Sequence, residues 1–195
     1  MAIIYFLCLL LISPSNSVSD EPIKQQSDCE IIENGIDLQT KKHRIEIGRR
    51  TLLRHTPPEI KDQLLEQNLL NVVGHLIQED EDLAVHLNIR VNSLIAQDHF
   101  GSIDQGFKLN ITLLDGKTID LICFAGSPGV LASDQAGYIY PVGYGISTRQ
   151  LKQLSRLEID KIGMQWSSGY EEYPVYEVDF FLNQIACLNR AQNSN

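Results

Sequence analysis

The pattern of this sequence predicts an α+β fold, a mainly antiparallel β-sheet with about three helices packed on it. Three observations lead there. From Phe107 to Phe124 the apolar residues Phe107, Leu109, Ile111 and Leu113 alternate with Lys108, Asn110 and Thr112, the period of a strand with one buried face. Asp115-Gly116 then offers the positive φ angles of a hairpin turn, and Ile119, Leu121 and Cys123 carry the chain back. Ile122 and Phe124 make that return strand apolar on both faces, which predicts a central place in the sheet. Second, Leu83, Val85, Leu87, Ile89 and Val91 alternate with Ala84, His86, Asn88, Arg90 and Asn92, the cleanest strand pattern in the chain. Third, successive strands are joined by short turns, which suits antiparallel pairing and leaves no room for βαβ crossovers.

The chain opens on an apolar run without charge, Ala2 to Ile12, closed by Pro14 and small polar residues. That length suits a signal-peptide core and is too short to span a bilayer. Ser15-Asn16-Ser17 and Ser17-Val18-Ser19 are small-x-small cleavage candidates. Residues 1–17 are therefore expected to be a signal peptide, 18–28 a flexible lead-in and 29–195 a single α+β domain. The expected location is outside the cytoplasm, periplasmic or secreted. No later stretch is apolar enough to span a membrane.

A hydrophobic share of 43% marks a globular chain, and a net charge of −9 argues against general nucleic-acid binding. Cys29, Cys123 and Cys187 follow the expected cleavage point. An exported protein can keep a disulfide, and three cysteines cannot all pair within one chain. Cys29 and Cys187 are the expected pair, tying the N-terminal segment to the last helix. Cys123 shares the parity of Ile119 and Leu121, which predicts a buried thiol. If the last helix packs over the face that carries Cys123, a Cys123–Cys187 bond is equally reachable.

Glu30 to Glu46 holds two short extended stretches, with turn signals at Asn34-Gly35 and near Thr40-Lys41-Lys42. Ile45 and Ile47 mark a short strand. Thr56-Pro57-Pro58-Glu59 has the form of a helix start, a capping residue followed by proline. Ile60, Leu64, Leu65, Asn68, Leu69 and Val72 continue it as a helical stripe that ends near Gly74. Glu79-Asp80-Glu81-Asp82 is an acidic turn. Residues 97–106 and 125–137 form loops, and Tyr138 to Tyr144 an aromatic strand. Ser147 can cap a short helix bearing Leu151 and Leu154. Ile159 to Trp166 is a strand turned at Ser167-Ser168-Gly169. Tyr176, Val178 and Phe180 alternate like a strand, but Val178, Phe181, Leu182, Ile185 and Leu188 fit a helix. The length of the apolar run favours the helix.

No catalytic or cofactor motif stands out. Ala125-Gly126-Ser127-Pro128-Gly129 superficially resembles a nucleophile elbow. The residue after such a serine must donate its N–H to an oxyanion, and here it is Pro128. All five histidines also precede Ser127. His75, His86 and His99 lack the short ligand pairs of a zinc site, and the acidic turn lacks the spacing of a calcium loop. No bound metal or cofactor is expected. Asn110-Ile111-Thr112 is a glycosylation sequon in mid-strand. Tyr138, Tyr140, Tyr144, Trp166, Tyr170, Tyr173 and Tyr176 could form a recognition face or serve as strand formers.

Lys41, Lys42, Arg44, Arg49, Arg50 and Arg54 fall in one span whose only acid is Glu46. This is a candidate anion-contact patch, or an edge whose charges discourage aggregation. The function expected from these features is that of a small exported non-catalytic binding protein, inhibitor- or immunity-like, with a protein partner. A hydrolase with a site assembled from distant loops, first candidates His86, His99 and Asp98, is the alternative. A structural envelope component is the third.

Overall fold

The computed structural model describes residues 29–63 and 67–194. The signal peptide and lead-in expected over residues 1–28 lie outside the described residues, as do Leu64 and Leu65 of the expected helix. Among the described residues eleven strands form one sheet: β1 (Ile31–Ile36), β2 (His43–Ile47), β3 (Arg50–His55), β4 (Leu70–Glu79), β5 (Asp82–Val91), β6 (Lys108–Leu113), β7 (Thr118–Ala125), β8 (Val130–Leu131), β9 (Tyr138–Ile146), β10 (Ile159–Trp166) and β11 (Gly169–Pro174). The helices are α1 (Ala96–Phe100), α2 (Thr148–Leu154) and α3 (Phe180–Gln192). The spatial order is β1-β2-β4-β5-β9-β7-β6-β10-β11, with β3 also on β4 and β8 also on β9. Strands take 48% of the chain and helices 18%, so the fold is sheet-dominated and nearer all-β than α+β.

The β6–β7 hairpin follows directly from its sequence. Gly116 takes φ 79°. Gly116 N donates to Leu113 O at 2.9 Å, and Leu113 N to Lys117 O at 2.8 Å.

The helix expected to run to Gly74 is instead a 3-10 turn over Pro58–Gln63, followed later by β4. Thr56 does not cap a long helix; its hydroxyl accepts from Leu69 N at 3.1 Å, just ahead of β4. Leu70, Val72, Gly74 and Leu76 face inward in alternation. Val72, Val73 and Ile77 are β-branched and lose little in a strand. The acidic turn closes β4 onto β5 over ten residue pairs, from Leu70↔Val91 to Glu79↔Asp82, with Asp80 at φ 51°. A long cross-strand ladder thus outweighs a helical stripe that rested partly on a proline-led start.

Asn34-Gly35 does not turn either. Both lie within β1, opposite Ile45 and Arg44. The chain reverses over residues 37–41, where Asp37 Oδ1 accepts from Gln39 N (2.7 Å) and Thr40 N (2.8 Å) and Lys41 takes φ 61°.

β2 and β3 lie in succession on the same edge of β4, broken at Gly48-Arg49. Gln184 of α3 is 1% exposed and secures this break. Its Oε1 accepts from Leu76 N at 2.9 Å, and its Nε2 donates to Gly48 O at 2.8 Å. α3 lays Phe180 against the side of β4 left open by Gly74, where a Cβ would come within 3.1 Å of the ring and 2.7 Å of Leu87. The core joins the inward residues of the sheet, among them Val85, Ile89, Leu121 and Tyr144, to Phe180, Phe181 and Leu188 of α3. Each such side chain contributes roughly 1.5–3 kcal/mol. α1 sets Phe100 against Trp166, ring centroids 4.9 Å apart. α2 starts at a capping box of Ser147 and Gln150.

Beyond β11, the backbone N–H groups of Tyr176 and Glu177 donate to Leu52 O in β3. The curved sheet thereby draws its C-terminal end toward β3. A disulfide joins Cys29 to Cys187, pinning the segment before β1 to α3, and Cys123 is free and buried. Among the described residues no helix is long and apolar enough to cross a membrane.

Candidate binding groove

The outward face of the sheet carries a trough whose shape is written in one cross-strand row. Reading across five strands, Glu46 pairs with Ile77, Ile77 with Ala84, Ala84 with Gly145, and Gly145 with Ile122. The middle of that row is alanine and glycine, so it forms a low floor between Ile77 and Ile122. Nothing lies within 4 Å of where a Gly145 Cβ would be. The depression measures about 780 Å³ and extends to Glu79, Glu81, Asp82 and the start of α2 at Thr148. A second depression of about 410 Å³ continues it along the strands and shares Arg44, Ile77 and His86 with it.

Strand pleating sets what lines the second depression. His75 faces His86 across the β4–β5 ladder, and His86 faces Gly143 of β9. Phe124 crosses the bare backbone of Gly143, where a Cβ would meet its Cζ at 2.7 Å. The rings form a chain: His75 to His86 at 5.8 Å and His86 to Phe124 at 5.8 Å between centroids. Ile122 and Phe124 remain 48% and 49% exposed. The sequence signal for them was the two-sided apolarity of β7. β7 is indeed an inner strand, between β6 and β9, but its outward face is open.

The polar groups are mutually engaged. Arg44 donates to Glu33 (3.1 Å), Glu46 (2.8 Å) and Glu79 (2.5 Å). Burial works against its charge, but the Glu46 and Glu79 hydrogen bonds prevail and its pKa is raised. Glu46 also lies 3.3 Å from His75 Nε2. Burial holds His75 down to about 4, against the pull of Glu46 and with help from His86, Arg49 and Arg44. Burial, then Arg44, lowers His86 as well. Both imidazoles are neutral near pH 7. Among the described residues, no group of three or more His, Cys, Asp or Glu side chains could hold a metal ion.

The six basic residues of the expected patch are spread over three settings. Arg44 sits in the trough among its carboxylates. Lys41 is in the β1–β2 turn, and Lys42 Nζ is 3.9 Å from Asp82. Arg50 pairs with Glu177 at 2.5 Å, and Arg54 lies 4.4 Å over the Tyr176 ring. Arg49 is exposed, and no ion pair holds it among the described residues. It lines the second depression and also a separate one of about 380 Å³ beside the disulfide.

His86 belongs to the trough. His99 and Asp98 do not; they are exposed on α1, past the far end of β5, and His99 packs edge-on against Phe100. Ser127 is buried, and its hydroxyl accepts from Gly129 N at 3.2 Å, a turn contact. Tyr140, Tyr144, Trp166 and Tyr173 are core residues, so the tyrosines share no recognition face. Asn110 of the sequon, on β6, donates to Asp120 of β7 at 2.7 Å. Burial raises the Cys123 thiol pKa, which makes it a poor nucleophile.

No protein-family model matches the chain, and no curated protein or solved structure does.

Proposed function

We propose that this is a small exported protein that works by binding, without catalysis, and that a protein docks on its outer trough. Ile122 and Phe124 carry the assignment. They are large, apolar and half-exposed on an inner strand, side by side with a deep depression. Apolar surface rimmed by polar residues marks interaction sites on proteins of this size. The ionic groups centred on Arg44 fit the same role, because they are already paired into a fixed part of the rim. Arg44 holds three carboxylates, and Glu46 is shared between Arg44 and His75. Export is supported by the apolar run at the N-terminus and by the Cys29–Cys187 disulfide.

The test is photo-crosslinking of the mature protein in extract from its native source. A crosslinking residue would replace Ile122, Thr148 or, as control, Leu38, which is 80% exposed on the β1–β2 turn. A protein adduct formed from the two trough positions and absent from Leu38 is expected. Adducts that are the same from all three, or absent from both trough positions, overturn the assignment. Intact mass of the native protein checks export separately, and a chain still beginning at Met1 would refute it.

A further inference from the structure

The two ends of the trough differ in chemistry. At one end Glu79 and Asp82 face each other across β4 and β5, and Glu81 projects from the turn between them. Arg44 beside them is the only cation among the lining residues of this depression, and three carboxylates surround it. Asp82 has a side chain 91% exposed, with Lys42 at 3.9 Å. Glu81 is exposed, with no ion pair among the described residues. At the other end His75 and His86 are neutral, Phe124 closes the row, and the exposed Arg49 places a positive charge away from the acidic mouth. Between the ends lie Ala84, Gly145 and Ile122.

Such a surface selects by two independent features. The Ala84–Gly145 floor between Ile77 and Ile122 accepts an apolar side chain and excludes a strongly hydrated one. The unbalanced carboxylates at the mouth attract a cation and repel an anion. We infer that the trough takes a peptide segment of the partner in which an apolar residue is flanked by lysine or arginine. The apolar side chain rests on the floor against Ile122 and Phe124, and the cation meets Glu81 and Asp82. This rests on the binding assignment above and adds the chemistry of the bound segment. The same carboxylates disfavour an anionic membrane surface.

The probes are three short synthetic peptides with the same leucine and phenylalanine residues and with lysine, glutamine or glutamate at all remaining positions. Their binding to the mature protein is followed by amide chemical shifts and by titration at low and high salt. The lysine peptide should bind most tightly, shift the amides of Ala84, Gly143 and Gly145, and weaken about tenfold in high salt. The double variant Glu81→Lys/Asp82→Lys should lose about tenfold for the lysine peptide and gain for the glutamate one. The variant Phe124→Ser should weaken the lysine and glutamine peptides alike, since it removes apolar contact. Thermal melts check that each variant is folded. Equal binding of all three peptides at the trough would overturn the charge selection while leaving a binding trough in place. Shifts confined to other surfaces, or none with any peptide, would overturn the inference outright. Binding of the lysine peptide no tighter than that of a simple alkylammonium ion would show a site for cationic amphiphiles, and would overturn it too.

Discussion

His75 faces His86 directly across the β4–β5 ladder, and both rings are held neutral on the outer face of the sheet. This has a consequence for acid stability. The folded pKa of His75, about 4, lies below its ordinary value of 6.5. Above that ordinary value neither state binds the proton, so His75 imposes no penalty. As pH falls from 6.5 toward 4, the unfolded chain takes up the proton first and stability declines. The loss is complete once pH passes below the folded pKa, and from His75 amounts to about 3 kcal/mol. His86 acts in the same direction. Urea unfolding across this range should show a slope that His75→Gln reduces; an equal slope in that variant would show that other groups set it.

Gly145 allows the trough to be filled without touching the core. A Cβ there meets nothing within 4 Å, and its φ is not in the left-handed region. Gly145→Ile should therefore fold with a melting temperature at or slightly above that of the parent, since a β-branched residue suits a strand. It should lose binding of the trough partner by at least about tenfold, as a blocked site does. A variant that binds normally would show that the partner does not use the floor.

The Cys29–Cys187 bond spans 158 residues. In the chain-entropy account, closing so long a loop stabilises by up to about 5 kcal/mol, less any strain. The double variant Cys29→Ser/Cys187→Ser should unfold at lower urea by an amount within that bound. Cys123 should resist thiol reagents in the folded protein and react only after unfolding, because it is 1% exposed. Urea unfolding reads the first outcome and alkylation of folded and unfolded protein the second, and a linked peptide containing Cys123 in non-reducing peptide mapping would contradict the pairing on which both rest.

Arg49 and Arg50 are neighbours with different duties. Arg50 is bound by Glu177, whose side chain is 20% exposed, and helps hold the segment after β11 against β3. Arg50→Ala should lower stability by about 1–3 kcal/mol, because it leaves that carboxylate without its charged partner. Arg49→Ala should change folding by less than about 1 kcal/mol. Arg49 lines the depression that continues the trough, so with a cationic segment bound Arg49→Ala should tighten partner binding at low salt, whereas weaker binding there would point to the anion-contact role expected of this span. Unchanged affinity at both salts would remove Arg49 from the binding surface.

Much of the sheet was legible because period-2 patterns and turn residues act locally. The β6–β7 hairpin, β5, β10 and the capped α2 are of this kind. Two misreadings share a cause. The proline-led start at Thr56 and the Asn34-Gly35 dipeptide are strong local signals, and ladders with the next strand in the chain overrode both. Val72 and Val73 enter a long ladder with β5, and Asn34 enters one with β2. The trough was harder to see. Its floor depends on which residues stand opposite one another on β4, β5, β9 and β7, and register between nonconsecutive strands is not written in any one of them. The exposed face of β7 was hidden for the same reason: an apolar residue looks alike whether helix, sheet or solvent lies over it. The spread of the basic residues follows from the bend at Gly48-Arg49, which separates Arg44 from Arg50 and Arg54.

The place of β9 also sets the order in which the sheet can be assembled. Its partners are β5 on one side and β7 with β8 on the other. The hairpins β4–β5, β6–β7 and β10–β11 each join neighbours in sequence and need little loop closure. β9 alone links the first of these to the second, and it comes after both in the chain. Contacts of long sequence separation form slowly. A chain that appears from its N-terminus onward therefore has two hairpins with exposed edges until residues 138–146 arrive. The insertion of β9 turns them into one sheet, and the same step completes the Ala84–Gly145–Ile122 floor. The trough is thus a late product of folding, present only once the halves of the molecule have joined.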